Sequence, residues 1–146
     1  MLLAEGGGVK VLFRKLLNRT EGQGLVEMAL VLPLLLVIFM GMIEFGRVFG
    51  SFLVINNLAR EGARYGAVGH TDTEIKNIII TERAYLDAAK MTIIISPPPE
   101  PPENRGVGNA LEVQVNYSLP LITPIISELL PNPFPLSAQC FMRIER

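Results

Sequence analysis

TEGQGLVEMALVLPLLLVIFMGMIEFGR, residues 20–47, decides how the rest of the chain is read. It opens on a short polar junction, runs from residue 28 to 43 without an ionisable side chain, and closes on Glu44 and Arg47. With Leu25 and Val26 added on its near side, the run reaches roughly the twenty residues that a transmembrane helix needs. Glu27 is the exception. It sits just inside the apolar edge, where an unpaired carboxylate costs on the order of 2.5–3.5 kcal/mol at bilayer depth, so a partner for it is expected.

Outward from this run the charges are uneven. Lys10, Arg14, Lys15 and Arg19 precede it against Glu5 and Glu21, whereas the first base after it is Arg47, beside Glu44. The positive-inside rule then keeps the N-terminus in the cytoplasm and puts everything after residue 47 outside. Residues 1–22 read as a basic leader, Gly-rich at Gly6, Gly7 and Gly8. A secretory signal carries its cleavage site after the apolar run, at small residues, and no such site follows here. Processing is therefore expected before the run. Loss of the leader removes four bases and two acids, lowering the net charge of −1 by two.

The composition narrows the function. A chain of 146 residues has room for one membrane helix and one small extramembrane domain. The near-neutral charge gives no footprint for nucleic acid. The single cysteine, Cys140, excludes an intramolecular disulfide framework and a cysteine metal cluster. The single histidine, His70, stands in no G-x-S-x-G or similar frame. No nucleophile–base pair or phosphate loop can be assembled, Gly106-Val107-Gly108 being a turn signal, so neither an enzyme nor a cofactor or small-molecule substrate is expected.

Beyond the apolar run, helical periodicity continues to about residue 66, and no proline falls between 34 and 96. About forty residues at 1.5 Å rise give a rod of roughly 60 Å, twice the hydrocarbon thickness, so its outer half (44–66) must stand outside the span at 25–43. Pro33 lies within the span and removes the hydrogen bond to the carbonyl of Ala29. Small residues recur four apart: Gly46 and Gly50; Ala59, Ala63 and Ala67; Gly62 and Gly66. Such rows allow close approach of a second helix, or of the helix's own domain. Both readings stay open. Arg60, Glu61 and Arg64 near the far end read as i,i+3 and i,i+4 pairs, with an intersubunit contact as the other use.

Residues 66–69 end the rod. Thr71-Asp72-Thr73-Glu74 has the form of a capping box opening a second helix, with Ile75, Ile78, Ile79, Leu86 and Ala89 as its apolar stripe. That role accounts for Asp72 and Glu74 near His70 better than a metal site does. A strand is expected over 91–96, a stiff extended segment over 97–102 and a turn over 105–109. Leu111, Val113, Val115, Tyr117 and Leu119 alternate with polar residues, as do Leu136, Ala138, Cys140, Met142 and Ile144, marking two half-buried strands. Between them 120–135 is an apolar, proline-broken loop, expected to fold back over the sheet or to face a partner or the membrane. The fold class is α+β: a small antiparallel sheet and a short helix packed on the outer half of a long N-terminal helix.

Gly22 followed five residues on by Glu27, at the lip of an apolar helix and behind a basic leader, resembles the class III signal of type IV prepilins. The blocks GQGLVEMALVLPLLL, IEFGRV and AREGARYGAV resemble the TadE-like family of pseudopilins from tight-adherence pilus systems. The likeness covers 21–68, and beyond it only CFMRIE is similar. Met28 stands where many such signals carry an aromatic residue. The resemblance implies a pilin-like fold and cleavage by a prepilin peptidase between Gly22 and Gln23. It also implies that Glu27 neutralises the new amine of a neighbouring subunit. Gly22, Gln23 and Glu27 are then the processing residues. Glu27, Pro33, Gly46, Gly50, Ala59, Gly62, Ala63 and Gly66 are the candidate helix–helix assembly residues. Other pilin-like subunits, the assembly platform and the cytoplasmic membrane are the implied partners. A processed minor pilin-like subunit is the first expectation. The alternative is an uncleaved single-pass anchor with a partner- or ligand-binding outer domain.

Overall fold

The computed structural model of the chain describes residues 20–145, so the leader expected at 1–22 falls almost wholly outside them. The order is helix α1 (Thr20–Ala67), helix α2 (Asp72–Thr81), strand β1 (Met91–Ser96), strand β2 (Ala110–Leu119), helix α3 (Pro124–Leu129) and strand β3 (Phe134–Arg143). Short 3-10 turns at Ala88–Lys90 and Pro102–Arg105 flank β1. The α+β class read from the sequence is what forms.

The chain divides into two compact units, Met1–Met40 and Gly41–Arg146. In the first, the described residues are α1 up to position 40, continuous through Pro33, with every residue from 22 to 40 exposed. A helix apolar on all sides, with no other described element covering it, is suited to lipid rather than to water. Among the described residues α1 is the one helix long and apolar enough to cross a membrane.

In the second unit β1, β2 and β3 form an antiparallel sheet in that order. Ile95 pairs with Val113, Val113 with Cys140 and Tyr117 with Leu136, so one apolar row runs across the sheet. All five alternating residues of β2, from Leu111 to Leu119, are buried. They meet Ile55, Leu58, Ala59 and Ala63 of α1 and Ile75 and Ile79 of α2 in a single core. Close approach rests on missing side chains. A Cβ at Gly66 would lie 2.0 Å from Leu111 Cδ2, and one at Gly62 would lie 2.7 Å from Ile79 Cδ1.

The ends of the helices are chemically defined. After α1, Gly69 takes a φ of 94°, while Gly69 N–H donates to Gly66 O and His70 N–H to Tyr65 O. This paired closure satisfies two terminal carbonyls. Glu145 N–H, just past β3, donates to Ala67 O at 2.8 Å and ties the end of the sheet to the same helix terminus. Thr71 caps α2 by accepting from Glu74 N–H, and Glu74 accepts in return from Thr71 N–H. Arg105 donates to Asp72 Oδ1 and to Pro97 O, fastening the proline-rich segment to the start of α2.

Two expectations are corrected. The stripe Ile75, Ile78, Ile79, Leu86, Ala89 does not lie on one helix, because α2 stops at Thr81. The Arg83 guanidinium donates to Ile80 O and Leu86 O, and Ala84 takes a φ of 56°, so the chain turns back. Leu86 still reaches the core from this turn, whereas Ala89 is exposed. The 120–135 segment is not wholly loop either. Pro124 occupies the first turn of α3, where its missing N–H removes no helical bond.

Candidate functional site

The residues singled out along α1 fall into two environments. Gly22, Gln23, Glu27 and Pro33 lie on the exposed span. A Cβ at Gly22 would meet nothing within 4 Å. Glu27 accepts one hydrogen bond, from Gln23 Nε2 at 3.2 Å, a local contact one turn away. A neutral amide leaves the carboxylate charge uncompensated, so the expense of placing it near lipid remains unless another group arrives. Pro33 leaves the carbonyl of Ala29 without its usual donor, and among the described residues no other element packs there to supply one.

The small residues are divided. Ala59, Gly62, Ala63 and Gly66 are buried, as is Ala67, and they carry the packing of α1 on its own sheet and on α2. Of the two uses that the spacing allowed, packing the helix's own domain is the one displayed here. Gly50 is partly covered, with Tyr85 Oη 3.0 Å from a would-be Cβ. Gly46 has nothing within 4 Å and sits among exposed Phe45, Phe49 and Phe52. Phe45 and Phe49 stack at 6.2 Å between ring centroids. On the outer half of α1, this aromatic side with Gly46 is left open, as are Leu53, Asn57, Arg60 and Arg64. Arg64 and Glu61 make an i,i+3 pair at 2.6 Å, and Arg60 is exposed.

The strongest polar constellation was not anticipated. Glu44, one residue past the apolar run, is only 3% exposed. Its Oε2 accepts from Ile122 N–H at 3.2 Å, Thr123 N–H at 3.1 Å and the Thr123 hydroxyl at 2.9 Å. Its Oε1 pairs with Arg47 Nη1 at 2.7 Å, and Arg47 Nη2 donates to Pro120 O. One carboxylate and one guanidinium thus hold residues 120–123 against the base of α1. Burial pushes the Glu44 carboxyl up. The Thr123 hydroxyl, the two backbone donors and the Arg47 charge outweigh burial and leave it below the ordinary glutamate value. Thr123 stands at the start of α3, but its hydroxyl is committed to Glu44 and does not cap its own helix. The contacts join residues 79 apart, which no local pattern exposes. A Glu and an Arg three apart at the end of an apolar run, with a Thr-Pro in a distant apolar loop, were the available signals.

His70 lies 3.3 Å from Glu74, whose carboxyl is drawn below its ordinary value by the Thr71 N–H, the Thr71 hydroxyl and His70. Asp72 faces Arg105 instead. Among the described residues no group of three or more His, Cys, Asp or Glu side chains is placed to hold a metal ion. Cys140 is half-buried beside the core, with Val113 opposite it on β2.

Compared with known families, residues 22–64 match the model described as TadE-like protein. The match begins at Gly22 and runs through Glu27, Glu44 and Arg47 to Arg64, all within α1. No curated protein and no solved structure matches the chain.

Proposed function

We infer that this chain, TadE-like over residues 22–64, is a minor pilin-like subunit that takes part in initiating or assembling a tight-adherence pilus. A prepilin peptidase removes the leader at the Gly22–Gln23 bond. The new amine at Gln23 then starts a helix at the membrane edge, and Glu27 of one subunit neutralises the amine of its neighbour. The observation that carries this reading is the start of the family match at Gly22, ahead of a fully exposed span.

Physical chemistry supports each step. The bond to be cut lies in the first turn of α1, between Gly22 and Gly24. Each glycine lowers helix stability by about 1 kcal/mol relative to alanine, so this turn opens to a peptidase at small cost. A charged amine beside Glu27 supplies the countercharge that Gln23 does not, and it sets the axial register between two spans. The span anchors the subunit in the cytoplasmic membrane before assembly, and Pro33 gives it pliancy on leaving the lipid. Gly46 and its aromatic neighbours are the assembly surface on the outer half of the helix, where no domain covers it.

Intact mass of the membrane-extracted protein tests the reading. Co-expression with the prepilin peptidase of a tight-adherence system should yield a chain lacking residues 1–22. A full-length mass in cells whose peptidase trims its own pilin would reduce this protein to an uncut anchor.

A further inference from the structure

We propose that residues 121–130 form a membrane foot. On the side of the bilayer where the folded domain lies, Ile122, Ile125, Leu129 and Leu130 enter the lipid interface, and acyl chains fill the cleft behind them. This goes beyond the pilus reading. It requires α1 to span a bilayer, but neither cleavage nor a filament.

Three observations converge on lipid. Ile122 is 69% exposed and Leu129 78%, with Ile125 and Leu130 also open, so four large aliphatic side chains face outward within nine residues. Soluble surfaces carry such residues singly, and a contiguous set marks an interaction site. The segment from 120 to 135 holds one charge, Glu128. Next, the foot stands level with the end of the apolar run: Ile122 N–H is 3.2 Å from the carboxylate of Glu44, the neighbour of Ile43. Phe45 and Leu130 share the cleft behind the foot, and Met42, Ile43 and Phe45 are themselves open. Finally, a cleft of about 340 Å³ opens between α1 and α3, walled by Gly41, Phe45, Val48, Leu121, Ile126 and Leu130. Its one charged wall residue among those described is Glu44, whose oxygens are already bonded to Arg47, Ile122 and Thr123.

The Glu44 clamp thus has two effects. It presses the 120–123 backbone onto the helix, and it pairs the Glu44 and Arg47 charges with each other, leaving exposed Glu128 as the one charge that 121–130 offers outward beside its four aliphatics. An apolar turn of helix at this depth lies along the interface rather than across it.

The test uses the full chain with Cys140→Ser, reconstituted in phosphatidylcholine vesicles. A bimane is placed by Ile125→Cys or Leu129→Cys, and quenching by lipids with a nitroxide on the acyl chain is read. Ile43→Cys serves as the lipid-exposed reference and Val107→Cys, on the exposed turn before β2, as the aqueous one. Quenching at 125 and 129 should approach that at 43 and exceed that at 107 several-fold. Labels at 125 and 129 that behave like 107 overturn the proposal. So do labels that are shielded from water yet unreached by lipid nitroxides, since a protein then covers the patch. Absence of quenching at 43 removes the span from the bilayer, and the foot with it.

Discussion

A methyl group at position 66 has nowhere to go. Leu111 and Ile75 close on Gly66 from two elements, and Leu111 is itself 1% exposed, so it cannot swing away. Gly66→Ala should cost about 1–3 kcal/mol, the usual range for overpacking a filled core. The cost is read as a lower thermal midpoint of the detergent-solubilised chain by far-UV circular dichroism. Gly46→Ala makes the contrast. With open space around it and helix propensity in its favour, it should leave the midpoint unchanged or raise it, a gain in stability of up to about 1 kcal/mol. If Gly46→Ala also lowers the midpoint, the outer aromatic side is not free. Glu44 carries a pH signature. Its carboxyl lies below the ordinary value in the folded chain, so the stability it contributes is present above the unfolded value, about 4.3, and lost as pH falls through the folded one. Glu44→Gln should lower the midpoint at neutral pH and flatten its acid dependence as pH falls below the ordinary glutamate value, about 4.3, the parent losing more there. Identical slopes in parent and variant would place the titrating group elsewhere, Glu74 being the other carboxyl held low.

Elements differ in how plainly the sequence announces them. Where structure follows from neighbours, the reading holds: the long helix, the Thr71–Glu74 box and the three strands rest on period, cap and alternation. Thr71→Ala should accordingly shorten α2 at its first turn and cost about 1 kcal/mol in the same melt, with Thr71→Ser retaining most of it. Where structure follows from distant or competing groups, the reading fails. The apolar spacing from Ile75 to Ala89 fits one helix, but the chain leaves the helix at Thr81, where the Arg83 guanidinium bridges Ile80 O of its last turn and Leu86 O of the following turn. The helical turn within 120–135 was hidden by its prolines, though Pro124 serves as a start signal. Along α1, the Gly22–Glu27 spacing is a local pattern that the sequence displays directly. The Glu44 clamp is not, because Glu44 beside Arg47 on one helix looks like an ordinary i,i+3 pair until residues 120–123 arrive.

For the whole molecule, the pilus reading predicts a separation between insertion and assembly. Glu27→Ala removes a charge from the span and should leave the membrane-bound yield unchanged or higher, while abolishing recovery in the sheared filament fraction. Recovery at the parental level would break the link between that carboxylate and a neighbour's amine. Domain and span are built on different terms. The outer half of α1 is already covered by its own sheet and α2 over Ala59, Gly62, Ala63 and Gly66, so the proposed assembly would use the faces that remain exposed. The Glu44 clamp also imposes an order of events. Its acceptor leaves the ribosome 78 and 79 residues ahead of its donors, Ile122 and Thr123. Throughout that interval Glu44 has Arg47 beside it but no backbone latch, so a nascent chain stalled or truncated before residue 122 is the form that quality-control proteases should recognise.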